Sequence, residues 1–270
     1  MEFSDTSHGR LAWRQSDGAG LPVLMIHGNS TCTEVFRNQL DGAIGEKYRC
    51  IAFDLPGHGQ SSDAPVPEDT YSFGGYANAA VELMAAIGVP RYAVFGWSLG
   101  GHIALDMLAE TDALAGLIIS GSAPISQDTH SMTEGFKDEI EWSLASKRVL
   151  TEDEIHAFAH GTCGPNAPYD PFLETAVRRC DGRARSLMIS KAACGLGRNQ
   201  QDLAINATVP LAIVNGADDA FINHAFVAGL PYRTIWEGAV IDLPDLGHAP
   251  FWEAPETFDP ILNRFLSSLN

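Results

Sequence analysis

Ser98 lies in a pattern that lets a serine act as a nucleophile. Residues 96–100 read G-W-S-L-G, which matches G-x-S-x-G, between the apolar run 92–97 and a helical pattern that follows. A strand that turns abruptly into a helix here holds the serine hydroxyl above the carboxyl end of a sheet. Only small residues two positions to either side avoid a clash in such a turn. The motif therefore predicts that Ser98 is the nucleophile of a covalent hydrolytic mechanism.

A serine nucleophile needs a base to take its proton and an acid to orient that base. His248 lies in the sequence LGHAP, in a predicted loop just before the C-terminal helix. Asp219 lies three residues after Gly216, which ends the apolar run 211–216. Asp218 is the alternative acid, but the spacing from the glycine favours Asp219. Ser98, Asp219 and His248 are therefore predicted to form a catalytic triad at the carboxyl ends of the strands.

A serine hydrolase also needs two hydrogen-bond donors for the oxyanion that develops on the substrate. One predicted donor is the backbone N–H of Leu99, at the N-terminus of the nucleophile helix, where the helix dipole favours negative charge. The other is the backbone N–H of Asn29, in the loop after the apolar run 21–28. The side chain of Asn29 could also reach a substrate.

The remaining histidines give no signal for a metal or a cofactor. His27, His58 and His102 are expected to be structural. His156 and His160 have an i, i+4 spacing that can hold a metal, but no third ligand is evident in the sequence. H-E-x-x-H, the P-loop and the dinucleotide fingerprint are absent. We therefore expect hydrolysis without a metal or a cofactor.

Composition restricts the partners. The 270 residues carry a formal net charge of −17, which disfavours nucleic acid and anionic membranes and favours a small uncharged substrate. The five cysteines are scattered without a C-x-x-C pair, as expected for free thiols in a reducing compartment. The N-terminal residues lack the pattern of a signal peptide, so we expect a cytoplasmic protein. The oligomeric state does not follow from the sequence.

Short apolar runs alternate with helical patterns, which predicts an α/β fold with a mostly parallel sheet. Residues 10–16 alternate apolar with polar and are expected to form an edge strand. Residues 122–207 contain helical patterns and no convincing strand. The predicted organisation is a core in two parts, 1–121 and 208–270, with a helical lid at 122–207.

The chain resembles the α/β-hydrolase superfamily over nearly its whole length, in stretches that read LMIHGN, DLPGHGQS, GWSLGGH, NGADD and LGHAPFWEAPETF. This resemblance implies an α/β-hydrolase fold, a mostly parallel eight-stranded sheet flanked by helices, with a helical lid insertion. It also implies the chain order of nucleophile, acid and base given above. Haloalkane dehalogenases and epoxide hydrolases of this superfamily use an Asp nucleophile, so Ser98 argues against both activities.

A narrower resemblance concerns the substrate. The chain is similar to the α/β-hydrolase type of N-acyl-homoserine lactonase, with matches that include LMIHGNS, FGWSLGGHIALDM, HGTCG, CDGRAR and GHAPFWEAPETFD. This resemblance implies that Ser98 attacks the lactone carbonyl and that Asn29 helps to place the ring. The family places a lid Tyr against the lactone, and Phe158 at the matching position keeps the aromatic body without the hydroxyl. The alternative for Phe158 is a packing role in the lid.

Other functions stay open at this point. A general carboxylesterase for small apolar esters is the main alternative, because the same triad would serve it. Other serine chemistry on this fold includes carbon–carbon bond hydrolysis, aminopeptidase activity and perhydrolysis. A ligand-sensing receptor on a hydrolase scaffold is a different class that can retain a triad.

Overall fold

The computed structural model describes residues 1–127, 133–137, 142–164 and 166–269. Within these residues one eight-stranded sheet has the order β1-β2-β4-β3-β5-β6-β7-β8. The strands are β1 (Glu2–Thr6), β2 (Gly9–Gln15), β3 (Gly20–Ile26), β4 (Tyr48–Phe53), β5 (Tyr92–Trp97), β6 (Leu114–Ser120), β7 (Leu211–Gly216) and β8 (Ile241–Leu243). Along this order neighbouring strands from β4 to β8 are parallel, whereas β2 pairs antiparallel with both β1 and β4, which confirms the predicted mostly parallel sheet.

The helices of the described residues connect and flank these strands. They are α1 (Arg37–Leu40), α2 (Ala43–Lys47), α3 (Pro67–Thr70), α4 (Phe73–Ala86), α5 (Leu99–Met107), α6 (Trp142–Ser146), α7 (Glu152–Gly161), α8 (Pro171–Arg179), α9 (Gly182–Ala193), α10 (Gln200–Ile205), α11 (His224–Gly229), α12 (Pro250–Glu253) and α13 (Pro255–Ser267). Short 3₁₀ helices lie at Thr33–Phe36 and Trp236–Gly238.

Side chains alternate between the two faces of the sheet along each strand, and helices cover both faces. Leu24 of β3 faces the cluster that contains Leu83 of α4 and Ile103 of α5. Its neighbour Val23 faces the opposite cluster, which contains Phe258 of α13. Helices on both faces therefore hold the sheet rigid, and its carboxyl edge can position a site.

The prediction that residues 10–16 form an edge strand is wrong. The edge strand is β1, which pairs antiparallel with β2 from Glu2↔Trp13 to Thr6↔Gly9. β1 reads EFSDT and is mostly exposed, so it has too little apolar pattern to be recognised in the sequence. β2 lies inside the sheet, where Trp13 is buried between β1 and β4.

The helices α6 to α10 lie between β6 and β7. They fall within the predicted lid, of which residues 128–132, 138–141 and 165 lie outside the described residues. Asp181 joins this region to the rest of the chain: Tyr71 Oη donates to Asp181 Oδ2 at 2.7 Å, and the N–H of Asp181 donates to Gly57 O at 2.8 Å. The lid boundaries at 122 and 207 stay a prediction.

The five cysteines are free thiols, and three of them are buried. Burial raises the pKa of Cys50 and of Cys163 to about 12, so these thiols stay protonated at neutral pH and are poor nucleophiles. None of the described helices combines the length and the apolar character needed to cross a bilayer.

Candidate active site

Ser98 sits at the turn between β5 and α5 in a strained backbone conformation. Its φ is 54° and its ψ is −118°, a region that costs a non-glycine residue about 1–3 kcal/mol. The N–H of Ser98 donates to Ser120 O at 2.8 Å, and Ser122 Oγ donates to Ser98 O at 2.8 Å. These two hydrogen bonds attach the turn to the end of β6 and to the residues that follow it. They therefore hold Ser98 in its strained conformation.

The glycines of the motif leave room for this turn. A Cβ at Gly96 would lie 2.8 Å from Gly101 Cα, and a Cβ at Gly100 would lie 2.6 Å from the carbonyl carbon of Ile26. Both contacts are with backbone, which cannot move aside. The small residues that the sequence motif required are therefore required by the close packing of α5 against β3 and β5.

His248 and Asp219 form a buried pair. Nδ1 of His248 lies 2.7 Å from Asp219 Oδ2. The other carboxylate oxygen, Oδ1, accepts from the N–H groups of Phe221 at 2.8 Å and Ile222 at 3.4 Å. Burial alone would raise the pKa of Asp219, but His248 and these N–H donors together hold it below its usual range. Asp219 is therefore ionised, and it orients the imidazole with Nε2 directed away from the carboxylate.

The loop that carries His248 is fixed on both sides. Trp97 Nε1 donates to His248 O at 2.8 Å, and the N–H of Gly247 donates to Glu253 Oε1 at 2.9 Å. Gly121, with φ of 64°, lies so close that a Cβ there would be 2.7 Å from Cε1 of His248. The imidazole therefore has little freedom to rotate.

Ser98 and His248 line the same cavity of about 180 Å³, which is mainly apolar. The described residues show no hydrogen bond between Ser98 Oγ and His248, and such catalytic contacts often tighten only when substrate is bound. The cavity is lined by Asn29, Phe73, Ser98, Leu99, His102, Gly121, Ile125, Phe136, Leu144, Ala145, Ala157, Phe158, Gly161, Thr162, Met188, Ile189, Ala192, Phe221 and His248.

Both predicted oxyanion donors border this cavity. Leu99 is the first residue of α5, so its N–H has no intrahelical acceptor. Asn29 lies in the loop after β3, and its side chain is already engaged: Nδ2 donates to Ala145 O at 3.0 Å, and Oδ1 accepts from Ser30 Oγ at 3.0 Å. Asn29 therefore links the loop after β3 to α6, a contact that the sequence did not indicate.

Phe158 projects from α7 into the cavity wall. Its ring is partly buried against the cluster that contains Phe258, and it also lines the cavity. The hydroxyl of Thr162, one turn later, donates to the backbone carbonyl of Phe158.

A buried polar network below the cavity was not identified from the sequence. Nδ1 of His102 lies 2.7 Å from Gln200 Oε1, so it must be the donor. Gln200 Nε2 donates in turn to Asp106 Oδ1 at 2.8 Å. Burial lowers the pKa of His102 to about 4, so the imidazole is neutral. His102 was expected to be structural, but it also lines the cavity and presents Nε2 as an acceptor.

Arg185 is a second residue that no sequence pattern singles out. Its guanidinium is buried and donates to Lys147 O at 2.8 Å, Arg148 O at 3.3 Å and Ser30 Oγ at 3.2 Å. Arg185 thus ties α9 to the segment before α7 and to the loop beside Asn29.

Known proteins are similar to this chain over most of its length. A family model of the alpha/beta hydrolase fold matches residues 22–151. Two solved structures of the N-acyl homoserine lactonase AidH are 43% identical to this chain, with a TM-score of 0.96. They cover 100% of this chain and 97% and 98% of their own. A haloalkane dehalogenase 2 from Mycobacterium bovis is 30% identical over 97% of this chain and 93% of its own length.

The chain belongs to the α/β-hydrolase family. It is therefore an enzyme of the hydrolase class, and the expected α/β-hydrolase fold is confirmed. The resemblance to the α/β-hydrolase type of N-acyl-homoserine lactonase is confirmed as well, since similarity to AidH extends over the complete chain. One of the AidH structures is complexed with N-butanoyl homoserine, and one, a mutant, with N-hexanoyl homoserine lactone.

Proposed function

We propose that this α/β-hydrolase opens the lactone ring of N-acyl-homoserine lactones through an acyl-enzyme on Ser98. The observation that carries the proposal is the position of Ser98 and the His248–Asp219 pair on one apolar cavity, in a chain similar to AidH over its full length. Hydrolysis of this ring would inactivate acyl-homoserine signals, which is quorum quenching.

The acylation half of the reaction follows from the orientation of His248. Ser98 Oγ attacks the ring carbonyl while Nε2 of His248 takes its proton. The bond between the carbonyl carbon and the ring oxygen then breaks, and the imidazolium returns the proton to that oxygen. The product is an ester of Ser98 with an N-acyl-homoserine that carries a free hydroxyl. Asp219, ionised and 2.7 Å from Nδ1, stabilises the imidazolium in between.

Deacylation uses the same groups. His248 takes a proton from a water molecule, the resulting hydroxide attacks the Ser98 ester, and the proton returns to Ser98 Oγ. The N-acyl-homoserine leaves as a carboxylic acid, which releases one proton to solvent near neutral pH. The N–H groups of Leu99 and Asn29 donate to the oxyanion in both halves of the reaction.

The acyl chain is placed in the apolar part of the cavity. Ile125, Leu144, Met188 and Ile189 line it and belong to the segment 122–207, which we propose acts as a lid over the site. Burial of the chain there contributes about 0.8 kcal/mol per methylene. A longer acyl chain should therefore bind more tightly until the cavity is filled.

Every step is assigned to side chains and backbone groups of this chain, and we propose that no metal or cofactor takes part. A small-molecule ester or lactone is the proposed partner, with neither nucleic acid nor membrane. One observation favours a second candidate, a general carboxylesterase: Phe158 offers an apolar ring where the lactonase family has a tyrosine hydroxyl.

The two candidates are separated by comparing the rates on two substrates. Purified protein is given N-hexanoyl-homoserine lactone and p-nitrophenyl butyrate separately, and ring-opened product and p-nitrophenol are measured as initial rates. A kcat/KM for the lactone that equals or exceeds that for the activated ester supports the lactonase. Fast ester hydrolysis without ring opening would establish the general esterase instead.

A further inference from the structure

His156 and His160 on α7 meet a third candidate ligand that the sequence does not reveal. Nδ1 of His156 lies 2.8 Å from Oε1 of Glu174, on α8, and Nε2 of His160 lies 3.9 Å from the same oxygen. The three ligand atoms all lie within 4.8 Å of one another. Of the residues that the structure describes, these are the ones that form such a group of three.

The set has the chemistry of a transition-metal site. Two imidazole nitrogens and one carboxylate oxygen suit Zn²⁺, which binds such atoms at roughly 2.0–2.2 Å. A tetrahedral ion at these lengths needs its ligands roughly 3.3–3.5 Å apart, as follows from that geometry. The separations of 2.8 Å and 3.9 Å bracket this value, so small rotations of the side chains are enough.

The surroundings hold two of the ligands in position. The ring of Tyr169 stacks on His160 with centroids 4.5 Å apart, and its hydroxyl donates to Glu174 Oε1 at 3.2 Å. Nε2 of His160 is shielded from solvent and has no hydrogen-bond partner among the described residues. A buried imidazole nitrogen without a partner is costly, and a metal ion would satisfy it.

The charge balance allows a cation. Arg178 is the nearest positive group, at 3.8 Å from Glu174 Oε2, but its shorter contact is with Glu152 at 2.6 Å. The oxygen that faces the two histidines is the other one, Oε1. The chain as a whole carries −17, which further favours a divalent cation.

We propose that His156, His160 and Glu174 form a Zn²⁺-binding site that joins α7 to α8, separate from the hydrolytic centre. The opposite face of α7 carries Ala157, Phe158 and Gly161, which line the substrate cavity. Bound zinc therefore braces one wall of that cavity by fixing α7 against its neighbour.

Isothermal titration of ZnCl₂ into the untagged, chelator-treated full chain tests the site. One Zn²⁺ per chain is expected, with at least a roughly tenfold loss of affinity in His160→Gln and in Glu174→Gln. His224→Gln is the matched control, because His224 pairs with Asp242 at 2.8 Å and lies outside the group of three. Saturating zinc should raise Tm of the wild type and of this control, and leave Tm of the two ligand variants unchanged.

Three results would overturn the proposal: no saturable binding by the wild type, undiminished affinity in both ligand variants, or an equal loss in His224→Gln. Circular dichroism of each variant establishes that it is folded before titration. Because the readout is binding and not turnover, the result does not depend on which substrate the hydrolytic centre accepts.

Discussion

Asp219→Asn is the change that isolates the contribution of the buried acid. The carboxylate is fully buried, with Oδ2 at 2.7 Å from Nδ1 of His248 and Oδ1 bonded to two backbone N–H groups. An asparagine oxygen can keep the Oδ1 bonds, which directs the amide NH₂ group toward His248. That group cannot accept from Nδ1–H, so the imidazole adopts the other tautomer and its Nε2 carries a proton. His248 then cannot act as the base for Ser98.

The distance sets the size of the effect. Two unit charges 2.7 Å apart interact with about 6 kcal/mol at an effective dielectric constant of about 20, the energy that Asp219 gives to a protonated His248. At about 1.4 kcal/mol for each factor of ten, its loss lowers kcat by roughly ten-thousandfold. The assay is kcat for p-nitrophenyl butyrate, and ring opening of N-hexanoyl-homoserine lactone, at constant pH.

Asp218→Asn is the matched control, because Asp218 is adjacent and exposed. It should change kcat by no more than about twofold, as expected for a surface substitution. A loss in Asp218→Asn as large as that in Asp219→Asn would refute the assignment of the acid. So would a folded Asp219→Asn variant that keeps more than a tenth of wild-type kcat.

Three further predictions concern the cavity wall, the buried arginine and the polar network. Phe158→Tyr should raise kcat/KM for lactones by about two- to tenfold, because the new hydroxyl adds one hydrogen bond to the lactone ring. The gain should not appear on p-nitrophenyl butyrate, and an equal gain on both substrates would contradict this. Arg185→Met should lower the free energy of unfolding in urea by roughly 3 kcal/mol, because buried carbonyls lose a charged donor, and an unchanged urea midpoint would count against it. Burial raises the pKa of Asp106 to about 6, above its unfolded value of about 3.9, so this group makes the wild type less stable as pH rises from 4 to 6. The free energy of unfolding of Asp106→Asn should therefore rise by about 1 kcal/mol relative to that of the wild type between pH 5 and pH 7, measured by urea unfolding at both values. A difference in stability that is the same at both pH values would exclude Asp106 as the cause of this pH dependence.

The sequence places Ser98, His248 and Asp219 at one edge of the sheet, where the structure has them, because local rules determine their positions. The glycines around Ser98 reflect a turn that only small residues permit, and His248 and Asp219 follow strands that end at one edge of the sheet. The choice of Asp219 over Asp218 needed only the spacing from Gly216. The structure buries Asp219 against His248 and leaves Asp218 exposed.

The features that were missed depend on contacts between distant segments. Glu174 lies 14 and 18 positions after the histidines it meets, on a different helix, so no spacing rule links them. Arg185 reads as a solvated charge and is buried only because carbonyls from other segments converge on it. β1 was missed for another reason: its exposed face and polar residues give no hydrophobic period.

The most direct test of the central claim is proton release from lactones, followed by pH-stat with a chelator present. N-acyl-homoserine lactones with C4 to C12 chains are given to the wild type and to Ser98→Ala in parallel. The proposed mechanism predicts one proton per lactone over many turnovers for the wild type, and release at the uncatalysed rate for Ser98→Ala. Ring opening by a folded Ser98→Ala at a rate near that of the wild type, or none by the wild type, would contradict it.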